Sequence, residues 1–145
     1  MSDLIPNSVD FSLPAEIASG ACLRGNEYGW PISVFPGALI RARSAGLCCI
    51  GGQFQFRLPN GTYEMYWLSA DSTDRCDDEP WSDYSNRSCS EVLSKFEDLA
   101  AKTDFVKEAA SWKLQASALA DLVFVAYFES ESTFAAKFGS DKQAT

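Results

Sequence analysis

Three consecutive stretches decide the fold: Gln53-Phe54-Gln55-Phe56-Arg57-Leu58, Pro59-Asn60-Gly61 and Thr62-Tyr63-Glu64-Met65-Tyr66-Trp67-Leu68. In the first, polar and apolar residues alternate strictly, which puts Phe54, Phe56 and Leu58 on one face of an extended strand. Pro59-Asn60-Gly61 suits a type I turn whose glycine takes the left-handed position of a bulge. The return run sets Tyr63, Met65 and Trp67 on one face and Glu64, Tyr66 and Leu68 on the other. The pattern predicts a hairpin over about 53–58 and 62–68. Gly51-Gly52 before it marks a bulge, or a bend away from Leu47-Cys48-Cys49-Ile50.

A lone hairpin is marginal in water and needs another strand or helix over it. Downstream, Ser69 to Arg87 reads as an irregular polar stretch. A capping box, Ser88-x-x-Glu91, then precedes Val92, Leu93, Phe96, Leu99 and Ala100 at helical spacing, with Glu91/Lys95 and Asp98/Lys102 as i,i+4 pairs. Thr103 or Asp104 caps a further helix with Phe105, Ala109, Trp112, Ala116 and Leu119 as its buried stripe. Leu122 to Phe128 has the length and the β-branched and aromatic content of a strand. Val123 and Ala126 would also continue the helical stripe, but one helix from Asp104 to Phe128 is long for so small a chain, so the reading favours a central strand. Phe134 and Phe138, four apart, fit a last helical turn before a polar tail over about 139–145.

Upstream, Val9, Phe11 and Leu13 alternate with Asp10 and Ser12 as in a short strand. Pro14 opens a turn of helix that Gly20 ends, and Gly25 to Pro31 reads as a loop anchored by Tyr28 and Trp30. Pro36 starts a helix and Gly46 stops it, with Leu39 and Ile40 facing a core and Arg41 and Arg43 in water. The expected class is therefore α+β: a small antiparallel sheet built around the hairpin, with helices packed on one face, in a single compact domain over 1–145.

The composition narrows the chemistry. The chain has 145 residues, 12 Lys and Arg against 20 Asp and Glu, and no histidine. Without histidine there is no Ser-His or Cys-His pair, no HExxH zinc site and no imidazole acid–base step. A net charge of −8 argues against holding nucleic acid through its phosphates. The longest apolar run, Leu122 to Phe128, has seven residues, well short of the ~20 of a membrane helix. The opening Met1-Ser2-Asp3-Leu4-Ile5-Pro6-Asn7 lacks the basic start and apolar centre of a signal peptide, and five cysteines are an odd number for a disulfide framework, so a reduced, cytoplasmic setting is expected. Cys48 and Cys49 read as small buried residues. Cys76 and Cys89 lie in polar surroundings, Cys89 at the expected helix start, but no histidine serves either as a base.

Acidic residues concentrate between 71 and 98. Asp71, Asp74, Asp77, Asp78, Glu79, Asp83, Glu91, Glu97 and Asp98 face only Arg75, Arg87 and Lys95 there. Trp81 and Tyr84 lie inside this window, and Tyr66 and Trp67 precede it. Acids around aromatic anchors suit a basic protein partner, because the charge speeds encounter and the rings supply contact area. The simpler interpretation is a solvated acidic loop with Trp81 packed beneath it. A calcium loop over Asp71 to Glu79 fails the EF-hand pattern, with no glycine at the sixth position and no glutamate at the twelfth. Glu64 with Glu129 or Glu131 is the one carboxylate pairing that would suit glycoside hydrolysis, although such groups more often sit at the surface or partner arginines such as Arg41 and Arg57.

In size, charge and lack of catalytic residues the chain resembles the small acidic immunity proteins that bacteria keep in the cytosol against toxins. That resemblance implies a non-catalytic inhibitor that covers a basic active site, with no cofactor and no metal. The candidate partner-binding residues are Asp71, Asp74, Asp77, Asp78, Glu79, Trp81, Asp83, Tyr84, Tyr66 and Trp67. Two rival readings stand beside it: a small-ligand module or minor enzyme with Trp30, Tyr66, Trp67 and Glu64 around a pocket, and a structural adaptor that pairs through the hairpin edge.

Overall fold

The computed structural model describes residues 13–139. The expected strand over Val9 to Leu13 lies outside them except for Leu13, which is in no strand. Nearly all of the polar tail also lies outside.

Five strands form one antiparallel sheet in the order β1-β2-β5-β3-β4: β1 (Cys22–Arg24), β2 (Glu27–Pro31), β3 (Cys48–Leu58), β4 (Gly61–Asp71) and β5 (Leu122–Glu129). The helices are α1 (Ala15–Ala18), α2 (Phe35–Ser44), α3 (Trp81–Lys102), α4 (Phe105–Ser111) and α5 (Glu131–Phe134). A 3-10 helix (Ala116–Asp121) leads into β5, and a π-helical turn (Ala135–Gly139) follows α5. The chain is thus α+β, as its patterning predicts. The predicted hairpin is β3–β4, longer at both ends than the sequence indicates, and Leu122–Glu129 is the central strand.

Three expectations need correction. Gly25 to Pro31 is not a loop: β1 and β2 make a second hairpin with Gly25-Asn26 at its turn. The stretch from Ser69 to Arg87 is not irregular throughout, because α3 starts at Trp81 and runs through the supposed cap at Ser88. The buried face of α3 is Tyr84, Ser85, Ser88, Cys89, Val92 and Phe96, so small polar residues interrupt the apolar period. Ser85 Oγ donates to Leu47 O at 2.6 Å, and Ser88 Oγ accepts from Cys49 N at 3.1 Å, tying the helix to the sheet. Finally, the helix after Asp104 stops at Ser111, which leaves Trp112 and Ala116 exposed instead of in a buried stripe. Asp104 is its cap, accepting from Lys107 N at 3.1 Å.

Smaller departures follow from packing. Ile40 points to water while Leu39 is buried. Lys95 binds Asp71 O at 2.6 Å instead of Glu91, whereas Asp98 and Lys102 do pair at 2.8 Å. Arg41 Nε donates to Glu16 O and Arg57 Nη1 to Cys22 O, so among the described residues both meet carbonyls, not carboxylates.

The core lies between the sheet and the helices. Phe54 and Phe124 meet Phe96 at 5.4 and 5.0 Å between ring centres, and Phe35 closes the set at 4.9 Å from Phe96. Burying such rings is the main favourable contribution to folding. On the opposite face the sheet curls on itself. Flat, β1 and β4 would lie about 19 Å apart, four strand spacings. Here Arg24 Nη1 reaches Thr62 Oγ1 at 2.8 Å. The curl buries Gln55, Arg57, Val123 and Val125, which is why β3 is buried on both faces despite its alternating sequence.

The irregularity marked by Gly51-Gly52 is a bulge, and the sheet carries a second bulge that no glycine marks. One displaces Ile50 where β3 pairs with β5, between Cys49 and Gly51. The other lies in β4: Phe54 pairs with Met65 and Gln53 with Ser69, so Tyr66-Trp67-Leu68 is extruded from the ladder. This bulge breaks the outer edge of the sheet, a device that discourages pairing with another chain.

Candidate functional site

β4 delivers the chain at Asp71 to the loop 72–80, and α3 takes it away at Trp81. The loop begins on the β3 bulge, where Ser72 N donates to Ile50 O at 3.1 Å and Ser72 Oγ to Cys49 O at 2.7 Å. Its organiser is Arg87, nearly two turns into α3. Nε and Nη2 donate to the two oxygens of Glu79 at 2.8 Å each, Nη2 also to Asp74 O at 3.0 Å, and Nη1 to Glu91 Oε2 at 3.1 Å. Glu91 Oε1 accepts from Thr73 N at 2.7 Å. Arg75 clamps the far side, donating to Glu79 O at 2.9 and 3.1 Å while its guanidinium lies 5.2 Å from the Trp81 ring.

These contacts set the ionisation of the loop. The hydrogen bonds from Arg87 pull Glu79 down from 4.5 to about 2. Partial burial pushes Glu91 up, but Thr73 and Arg87 outweigh it and hold that carboxyl below its usual range. Glu79 and Glu91 therefore stay charged within the loop's own framework.

The ten candidate residues divide accordingly. Asp71, Asp74, Asp77, Asp78 and Asp83 are exposed around the loop and the first turn of α3. Glu79 is 12% exposed at its side chain and serves as an internal partner of Arg87, so it does not supply free surface charge. Tyr84 is buried, and Trp81 is half-buried with Nε1 donating to Gly46 O at 2.7 Å, so these rings carry the loop from beneath. Tyr66 and Trp67, exposed on the β4 bulge, belong to a different ring cluster: Trp67 stacks on Trp112 at 6.1 Å, and Trp112 meets Tyr63 at 5.4 Å. Trp30 is fully buried with Nε1 on Ile17 O, so it shares no surface with Tyr66 and Trp67.

The thiols also sort by environment. Burial pushes Cys48 up to about 12 and Cys89 to about 11, and raises Cys49 well above its ordinary value. Cys89 thus sits buried within α3 and not at a polar helix start. Cys22 and Cys76 are the exposed ones.

Sequence reasoning missed the feature beside the loop. Phe134 of α5 packs on Trp81 and Tyr84 at 5.5 and 5.2 Å, and Phe138 packs on Phe134 at 4.7 Å. Between them and the loop lies a cavity of ≈ 350 Å³ with Ile50, Tyr84, Phe134 and Phe138 as its apolar lining and Asp74 and Arg75 at its polar side. The i,i+4 spacing of Arg87 and Glu91 was the available sign of the loop's organiser; nothing local linked Phe134 to Trp81. Among the described residues, no three His, Cys, Asp or Glu side chains stand together as a metal-binding group. No helix among them is long and apolar enough to cross a membrane.

No protein family, curated protein or solved structure matches this chain.

Proposed function

We propose that the chain is a non-catalytic binding module for a basic protein, an inhibitor of the immunity type, and that the surface around residues 71–83 receives the partner. The observation that carries this reading is the fixed backbone of the loop. Arg87, Arg75 and Ser72 tie its ends and middle to the helix and sheet, while Asp74, Asp77 and Asp78 remain exposed on it. A charged surface ordered before binding loses little entropy on docking, and exposed carboxylates steer a cationic partner during encounter. The adjoining apolar cavity gives such a partner a place for one hydrophobic side chain, the central contact that charge alone lacks. In this reading Trp81 and Tyr84 support the loop, and the cavity takes the anchoring role.

The test starts with co-purification from the native host and reconstitution with the protein recovered. The reading expects a stoichiometric complex with a basic protein whose association slows as salt rises. Asp71, Asp74, Asp77 and Asp78 together changed to Lys should slow association roughly a hundredfold at low salt and flatten its salt dependence. A complex whose association rate ignores that reversal would sink the proposal, as would the absence of any basic partner.

A further inference from the structure

A second cleft lies where β2 and β5 part. β2 pairs with β5 only through Gly29–Pro31 against Val123–Val125. The residues that would extend this ladder, Glu27 and Tyr28 on one strand and Ala126 and Tyr127 on the other, border a cavity of ≈ 320 Å³. Leu13, Tyr28 and Phe128 give it apolar walls, and Glu27, Glu129 and Lys137 give it charge. Two carboxylates against one ammonium leave a formal charge of −1.

Hydrogen bonds fix most of these groups. Tyr127 O–H donates to Glu27 Oε2 at 2.7 Å, and Lys137 Nζ donates to Glu129 Oε2 at 2.7 Å. Glu129 is 7% exposed at its side chain, yet its Oε1 has no hydrogen-bond partner among the described residues. A charged oxygen closed off from water and given no donor is costly, and the deficit is one N–H. Lys137 reaches Glu129 from the turn after α5, with its side chain 38% exposed.

We propose that this cleft binds an aliphatic primary ammonium. Its N–H groups donate to Glu129 Oε1 and Glu27, its charge balances the cleft, and its alkyl chain lies along Leu13, Tyr28 and Phe128. Lys137 shifts to admit it. The ring faces of Tyr28 and Tyr127 add attraction for a cation. The ammonium has two sources, a free alkylamine or a lysine side chain of another protein. None of these residues belongs to the acidic loop, so the proposal stands or falls separately from the function proposed above.

The experiment titrates the full chain with n-butylammonium, N-acetyl-lysine methylamide and tetramethylammonium, followed by amide NMR shifts. The first two should give saturable shifts confined to Tyr28, residues 126–129 and Lys137. Saturation by n-butylammonium alone assigns the site to a free amine, and saturation by the lysine derivative alone assigns it to a protein side chain. Tetramethylammonium, which has no N–H, should not compete. Lys137→Met should tighten binding by removing the internal competitor. Glu129→Gln should weaken it roughly tenfold or more, and Glu27→Gln provides the same comparison if Glu129→Gln fails to fold. No saturation in either the wild-type chain or Lys137→Met overturns the proposal. Equal binding of tetramethylammonium, or unchanged affinity in the folded carboxylate variants, does the same.

Discussion

Arg87 grips both carboxylate oxygens of Glu79, with Nε on Oε2 and Nη2 on Oε1, each at 2.8 Å. The same guanidinium reaches Glu91 and the carbonyl of Asp74, so one side chain of α3 holds the middle and the end of the acidic loop. The loop is consequently less a run of free negative charge than its sequence implies. Glu79 and Glu91 offset Arg87, and the surface charge falls to the aspartates around them.

Replacing Arg87 with Ala removes one of the donors to each of two carboxylates, and the donor to the carbonyls of Thr73 and Asp74, at once. The expected cost is about 2 kcal/mol, moderated because the arginine is partly exposed. Arg87→Lys should recover part of this, since it keeps the charge but lacks the fork. Urea unfolding reads the stability. Amide exchange should accelerate from Thr73 to Glu79 in the alanine variant, while the core amides of β3 and β5 slow or speed only with global stability.

Acid should release the same grip. The pKa of Glu79 is lowered on folding from 4.5 to about 2, so the carboxylate contributes stability above about 4.5 and loses it as pH falls toward 2. The stability gap between the wild-type chain and Glu79→Gln should therefore be constant at neutral pH and narrow across that interval. Denaturant midpoints measured through it provide the check. Added salt should also narrow the gap, because part of the interaction is Coulombic and near the surface. A gap that persists at pH 2 would mean that Glu79 acts through packing, not charge.

How far the sequence could be read depended on whether each signal was local. The β3–β4 hairpin declared itself because the alternation of Gln53 to Leu58 and the turn at Asn60-Gly61 sit next to one another. The β5 strand was legible from its β-branched and aromatic content. By contrast, the start of α3 was hidden because its first buried turns carry Tyr84, Ser85 and Ser88, and two serines do not register as an apolar stripe. Their reward is tertiary: both bond backbone atoms some 38 or 39 residues away. The curl that brings Arg24 to Thr62 is likewise invisible without the fold. At the candidate site the charges were legible, but not their division into exposed aspartates and the Arg87-bound glutamates. That division depends on which atoms the loop brings to one guanidinium.

Gly52 should tolerate nothing larger. A Cβ there would lie 1.9 Å from Val125 O and 2.7 Å from the Phe124 ring, so β3 and β5 would have to separate at the centre of the sheet. Gly52→Ala should cost about 3 kcal/mol or more, since backbone and a core ring cannot both yield. Circular dichroism melts would show a large fall in Tm or no cooperative transition. A variant that melts like the wild-type chain would mean the two strands are looser than their register indicates.

The ends of α2 and α4 supply a matched pair. Gly46 N donates to Arg43 O and Leu47 N to Ala42 O, while Lys113 N donates to Ala110 O and Leu114 N to Ala109 O. Both helices thus close with the same double hydrogen bond, in which one residue must take a left-handed backbone. Gly46 does so at φ +81° and Lys113 at φ +62°. Glycine made the first ending legible in the sequence, whereas lysine in the same position concealed the second. A side chain in this conformation costs about 1 kcal/mol relative to glycine. Lys113→Gly should therefore stabilise the chain by up to about 1 kcal/mol, despite glycine's greater freedom when unfolded. Gly46→Ala should destabilise by a similar amount, for a conformational reason alone, because no atom lies within 4 Å of the added Cβ. Chemical denaturation of both variants tests the pair. Destabilisation by Lys113→Gly would show that glycine's freedom in the unfolded chain, with any lost lysine contacts, outweighs the relief of backbone strain.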